Sequence, residues 1–365
     1  MTDRRTGLSG LHLALEADGD GAHPAAWRHS GRPPGAVLTS GALRDVVAGA
    51  EDAGFALVTF ADSPLPPDAG TGVAGRIDAG TRAAYVAPLT DRIGLAPTLH
   101  VAITEPFHLA TQLASLDHAS HGRAGWVVGA AAGEDELATV GGAKLPAAAL
   151  AREAADVIDA ARALWDSWDD DAVIKDVATG RFLDSRRVHH IDFEGASFTV
   201  KGPLITPRPP QGQVVVLAPD TLAADARADI VLVGRPDLAA IAARSRAAKE
   251  AGAPLVFAEV EVVLDAAVPA ADRLAELDGA AARPESGRLR HTGSPESLLE
   301  LLRELADSVD GVRLHPAVLA VDLPVLARQV LPKVGGAPRA GGTLRETLGL
   351  SRPAGRFAAA AATNA

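Results

Sequence analysis

The chain has no cysteine among its 365 residues. That excludes a disulfide framework, a thiolate nucleophile and a cysteine metal site, and it fits an expected cytoplasmic, reducing setting. Basic clusters are missing too. The formal net charge is −11, which argues against nucleic acid and against an anionic membrane surface as partners. No apolar run reaches the length of a bilayer span. The opening MTDRRTGLSG carries arginines but no apolar stretch behind them, so it is not expected to act as a secretory signal. No GxGxxG follows the first apolar run, which weakens a dinucleotide-binding open sheet. Neither a nucleophile triad nor a metal-ligand cluster stands out in the sequence.

What the sequence does have is rhythm. Short apolar runs recur at 11–15, 56–60, 92–98, 123–128, 213–218, 229–233, 256–264 and 311–315. Most are continuously apolar rather than alternating, the pattern of parallel strands covered on both faces. Helical spacing fills much of the intervening sequence. One stretch, 42–53, stops at Gly54, and another, 147–168, is long and one-sided. A third, 236–251, is expected to carry Pro236 in its first turn, and 294–308 opens with the serine cap of SPES. Eight such units predict an α/β chain folded as a (β/α)8 TIM barrel. The expected organisation is a single domain over 1–353, an irregular excursion at about 169–210 containing a small hairpin, and a disordered tail at 354–365.

The most informative stretch is EPFHLATQLASLDHASHGRAGW, residues 105–126, which joins one strand to the next through an amphipathic helix. Further distinctive pieces are HPAAWRHS (23–30), EDAGFALVTFADSP (51–64), the long run from LWDSWDDD to TPRPPQG (164–212) and TLRETLGLSRP (343–353). Together these resemble the bacterial-luciferase-like superfamily of flavin-dependent monooxygenases. Within it they resemble the two-component branch containing nitrilotriacetate and dibenzothiophene-sulfone monooxygenases. The resemblance implies a TIM barrel that binds reduced FMN at the C-terminal strand ends, and against relatives that often carry a long insertion after the sixth strand this chain is expected to have a shortened insertion region. It also implies a separate flavin reductase, a small organic substrate oxygenated with O2, and a homo-oligomer or a heteromer with a homologue. In such an enzyme the protein positions the cofactor and excludes water.

Carried onto this sequence residue by residue, the resemblance places Asp62, Ser63, Thr98 and Thr104 near the flavin. His100 is the candidate catalytic acid or ring contact. Trp27, Arg28 and His29 are candidate substrate contacts on the loop after the first strand, and Arg28 suits an anion. Several positions depart from the family pattern. After Trp126 the family has polar groups where this chain has Val127, Ala130 and Ala131. A phosphate-reaching tyrosine is replaced by Ala151, with Arg152 beside it as a candidate substitute. A small hydroxyl-rich loop is replaced by Pro219 and Asp220, which offer a phosphate no N–H and a like charge. Losing two or three charge-assisted hydrogen bonds of about 1.5–3 kcal/mol each would weaken FMN roughly a thousandfold or more. Two alternatives therefore stand beside the oxygenase. One is a flavin-free paralogue acting as partner subunit or binding protein. The other is an oxidoreductase using the deazaflavin F420.

Overall fold

The structure, a computed structural model, describes residues 8–67, 73–283, 285–335 and 337–357. Part of the predicted tail, 358–365, lies outside the described residues, as does the opening 1–7.

Eight parallel strands close into a barrel. They are β1 (His12–Ala17), β2 (Leu57–Phe60), β3 (Gly94–His100), β4 (Gly125–Gly129), β5 (Val215–Pro219), β6 (Ile230–Val233), β7 (Leu255–Leu264) and β8 (Gly311–Pro316). Each pairs with its sequence neighbour, and β8 returns to β1 through the register His12 to Gly311. The near-total burial of these runs is what a two-sided parallel sheet requires. The predicted TIM barrel is thus the fold. A ninth strand, Leu289–Gly293, lies parallel on the outer half of β7. Sequence reading did not anticipate it, because its burial alternates and its residues are largely polar.

Among the helices are α1 (Ser40–Ala53), α2 (Ala79–Val86), α3 (Pro106–Ala119), α4 (Ala147–Trp165), α5 (Leu238–Glu250), α6 (Ala270–Ala280), α7 (Pro295–Ala306), α8 (Leu319–Val325) and α9 (Leu344–Thr347), with short helical pieces at Glu134–Ala138 and Leu331–Val334. The expected first turn at Pro236 is corrected: Asp237 caps α5, accepting from the N–H of Ala240. Between β5 and β6 the chain makes only a short turn at Asp220–Leu222, so one barrel helix is replaced by a tight connection. The excursion contains the predicted hairpin, Phe193–Glu194 against Thr199–Val200. A second hairpin, Val173–Asp176 against Arg181–Leu183, was not foreseen.

The 105–126 stretch is architecture. Glu105 caps α3, accepting from the N–H groups of Phe107 and His108. Buried Arg123 donates to the carbonyls of Ser120, Ile93, Ala87 and Thr90. The indole of Trp126 donates to Leu99 O at 3.1 Å. Asp117, fully buried, accepts from the Ala124 N–H and from the Gln211 amide.

The barrel interior is filled from below. Leu344 and Leu348, from the TLRETLGL piece, pack against Leu57, Ala96, Val215 and Leu217. Gly94 gives Leu344 its seat: a Cβ there would lie 2.6 Å from the leucine methyl. Arg345 anchors the plug, donating to Gln213 O and to both carboxylate oxygens of Asp229.

Candidate functional site

Alternation along each strand decides which side chains point into the barrel. On β1 the inward set that begins with Ala14 continues to Glu16, and on β8 it includes Arg313 and His315. These residues sit above the leucine plug, toward the C-terminal strand ends. Arg313 Nε lies 2.9 Å from Glu16 Oε2 and 3.0 Å from Thr59 Oγ1, and its Nη1 is 3.1 Å from Glu259 Oε1. Thr59 also donates to Glu16, and His315 Nε2 is 3.1 Å from Glu259 Oε1. Burial would raise the carboxyls of Glu16 and Glu259, but the Arg313 charge and the hydrogen bonds hold both below their ordinary range. Burial pushes His315 down, so a neutral imidazole donates to Glu259. Sequence analysis missed this network. Its signal was present but faint: one or two charged residues inside otherwise apolar runs, as in HLALEA and GVRLHP.

His100 lies at the rim. It pairs in register with Gly129, and a Cβ on that glycine would fall 2.5 Å from its Nδ1. Nδ1 accepts the Ala131 N–H at 3.2 Å, which fixes the proton on Nε2. Nε2 is buried and has no hydrogen-bond partner among the described residues. Burial lowers its pKa, partly countered by the Asp62 charge. His100 is thus a buried, neutral imidazole beside the charge and backbone of Asp62.

The remaining candidates separate. Asp62 is committed to structure, accepting from Ser63 N at 2.8 Å and Ala79 N at 2.6 Å. Ser63 Oγ accepts from Leu65 N, yet Ser63 also lines a cavity of about 350 Å³ above β1 and β2. Trp27 lines the same cavity, and Arg28, exposed, stacks on its ring at 4.9 Å. His29 faces Glu276 of α6 at 3.6 Å. Thr98 is buried within β3. Thr104 does not cap α3, a role Glu105 fills. Arg152 stands exposed on α4. The cavity also draws Asp18, Asp20, Arg76 and Arg82 together, none of which the sequence had singled out.

At the ends of β5 and β6 the geometry is closed. The Asp220 side chain, 4 % exposed, pairs with Arg235 at 2.6 Å and Arg244 at 3.1 Å. Arg244 also holds Asp225 at 2.6 Å.

A barrel with its polar groups gathered at the C-terminal strand ends is the layout of a TIM-barrel enzyme. The luciferase-like monooxygenase family matches residues 22–318, and the chain belongs to that family. One component of pristinamycin IIA synthase from Streptomyces pristinaespiralis is 33% identical over 89% of this chain and 94% of its own length. The other component of that synthase is 34% identical over 59% of this chain but only 47% of its own length. N-acetyl-S-(2-succino)cysteine monooxygenase of Bacillus subtilis is 34% identical over 57% of this chain, which spans 47% of that protein. Dibenzothiophene-sulfone and nitrilotriacetate monooxygenases also match, over about a third of their length. EDTA monooxygenase from Chelativorans sp. BNC1 shares the fold with a TM-score of 0.79 at 21% identity, covering 94% of this chain and 99% of that one. Among the described residues no helix is long and apolar enough to cross a membrane.

The residues present fit a flavin unevenly. The buried His100 Nε2 suits a polar ring edge. The β5–β6 end does not suit a phosphate, because the Asp220 carboxylate already occupies the two arginines there.

Proposed function

We propose that the chain is the oxygenating component of a two-component monooxygenase, acting at the barrel mouth on a small organic substrate with reduced flavin from a separate reductase. The observation that carries this reading is the buried His100 Nε2, without a hydrogen-bond partner among the described residues, at the C-terminal end of β3 in a chain matching the family from 22 to 318. A bound reduced flavin would supply the activation of O2. The chain supplies a proton held at His100 Nε2, a fixed tautomer set by the Ala131 N–H, and a mouth pre-organised by the Arg313 network. Anaerobic titration tests it. Reduced FMN and reduced riboflavin should bind with affinities within about threefold of each other, because Asp220 already holds the arginines at the β5–β6 end. No binding of either would remove the oxygenase reading.

A second reading rests on the filled β5–β6 end and the near-full-length match to one component of a two-component synthase. Here the chain is the flavin-free partner of a longer homologue that holds the cofactor. Co-expression with such a homologue should then give a stable complex in which the longer chain alone retains flavin.

A further inference from the structure

We infer that the cavity above β1 and β2 is a subsite for a small zwitterion: a compound with an amine, a carboxylate and a hydrocarbon substituent. This deepens the oxygenase reading by naming the class of compound its mouth would take.

Charges of both signs meet in this cavity, and the protein leaves them poorly satisfied. Asp18 and Asp20 come from the DGDG turn after β1, and Arg76 and Arg82 come from the segment leading into α2 and from α2 itself. Asp20 has no hydrogen bond to its carboxylate among the described residues. Asp18 has its one ion pair among the described residues with Arg76, at a loose 3.8 Å, and the Arg82 charge also bears on it. Burial pushes both carboxyls up, which is the condition an entering ammonium would relieve. Other charged groups nearby are already spoken for. His23 is bonded to Asp278 and accepts the Ala25 N–H, and Arg32, whose charge also reaches Asp20, pairs with Asp45.

Arg82 provides the independent sign of a ligand. It is 8 % exposed and lines the cavity, and its two terminal nitrogens donate to Ala17 O and Ala61 O. Its Nε has no partner at all among the described residues. A buried guanidinium with an unmet donor costs stability unless something fills it, and a carboxylate is the natural complement. The formal charges of the two acids and two arginines cancel, so a ligand of one sign alone would leave a pair unmatched. Trp27, Leu65 and Pro66 supply an apolar wall for the substituent. The turn itself is held rigidly against β8. Gly21 has φ +145°, and a Cβ there would lie 2.3 Å from Ala317 O.

Calorimetry on the flavin-free protein tests the inference with three probes: leucine, its decarboxylated counterpart 3-methylbutylamine, and its deaminated counterpart 4-methylpentanoate. Leucine should bind at least about tenfold tighter than either single-charge compound. Asp20→Asn and Arg76→Gln should each remove that preference while leaving the thermal midpoint near the parent value. The inference is overturned if leucine gives no heat, if either analogue equals it, or if neither substitution changes its binding. Because no flavin is present, a positive result stands even if turnover with reductase and reduced flavin fails. Turnover without a zwitterion preference would keep the oxygenase and discard this subsite.

Discussion

The two ends of the barrel are built from the same strands and the same inward-facing positions, yet they obey opposite rules. At the N-terminal end the interior is hydrocarbon: Leu344 and Leu348 fill it, and Gly94 makes the room. Higher in the barrel, the inward positions carry Glu16, Thr59, Glu259, Arg313 and His315. The lower end gains from desolvation and shape. The upper end places charges in a dry interior, where they are costly unless every partner is present. Stability is made at one end and spent at the other, where reacting groups must be held still.

The sharpest way to break that contrast is Arg313→Met. It strands Glu16 as a buried carboxylate held only by Thr59 and leaves Glu259 with His315 and a distant Arg288, and urea unfolding should show a loss of about 3–5 kcal/mol. Adding Glu16→Gln and Glu259→Gln to that variant should recover much of the loss. Failure to recover would show that the methionine's packing, not charge, caused it. Leu344→Ala attacks the other end. A loss of about 2–5 kcal/mol is expected, with ligand binding at the mouth unchanged.

Asp117 gives the lower end a pH signature. Burial raises its pKa from 3.8 to about 6, even against the hydrogen bonds it accepts. A folded-state pKa above the unfolded one means the folded protein takes up the proton more readily. Its penalty is therefore full above pH 6 and fades as pH falls toward 4. The stability difference between Asp117→Asn and the parent should shift by about 2–3 kcal/mol across that window; a flat difference would refute the raised pKa. Smallest in stability is His100→Gln, expected to change folding by under about 1 kcal/mol, since His100 makes one hydrogen bond. Its effect should appear in flavin binding and in the pH profile of turnover.

The barrel was legible because strands buried on both faces write themselves as unbroken apolar runs. The plug was legible only as a motif: TLRETLGL says nothing of where Leu344 goes until β3 and β4 show their glycines. The mouth was hidden for the converse reason. Glu16, Glu259 and Arg313 are single charges inside apolar runs, and their meaning comes from partners up to 297 positions away. Trp27 and Ser63, named from the sequence, both line one cavity. Asp18, Asp20 and Arg76 escaped, since loop residues carry no periodicity to betray their direction, and Arg82 was one charge on a short helix. The β5–β6 end shows the reverse case. Pro219 and Asp220 looked wrong for a phosphate in the sequence, and the arginines that explain Asp220 became visible only in three dimensions.

The plug has a consequence for biosynthesis. A ribosome releases β1 first and α9 near the end, so the stopper emerges after the cylinder it must seal. Until β8 arrives, Glu16 has no guanidinium to meet and the first strand has no closing neighbour. Closure of the cylinder must therefore wait for β8 and its sealing for α9, and the earlier strands keep open edges until then.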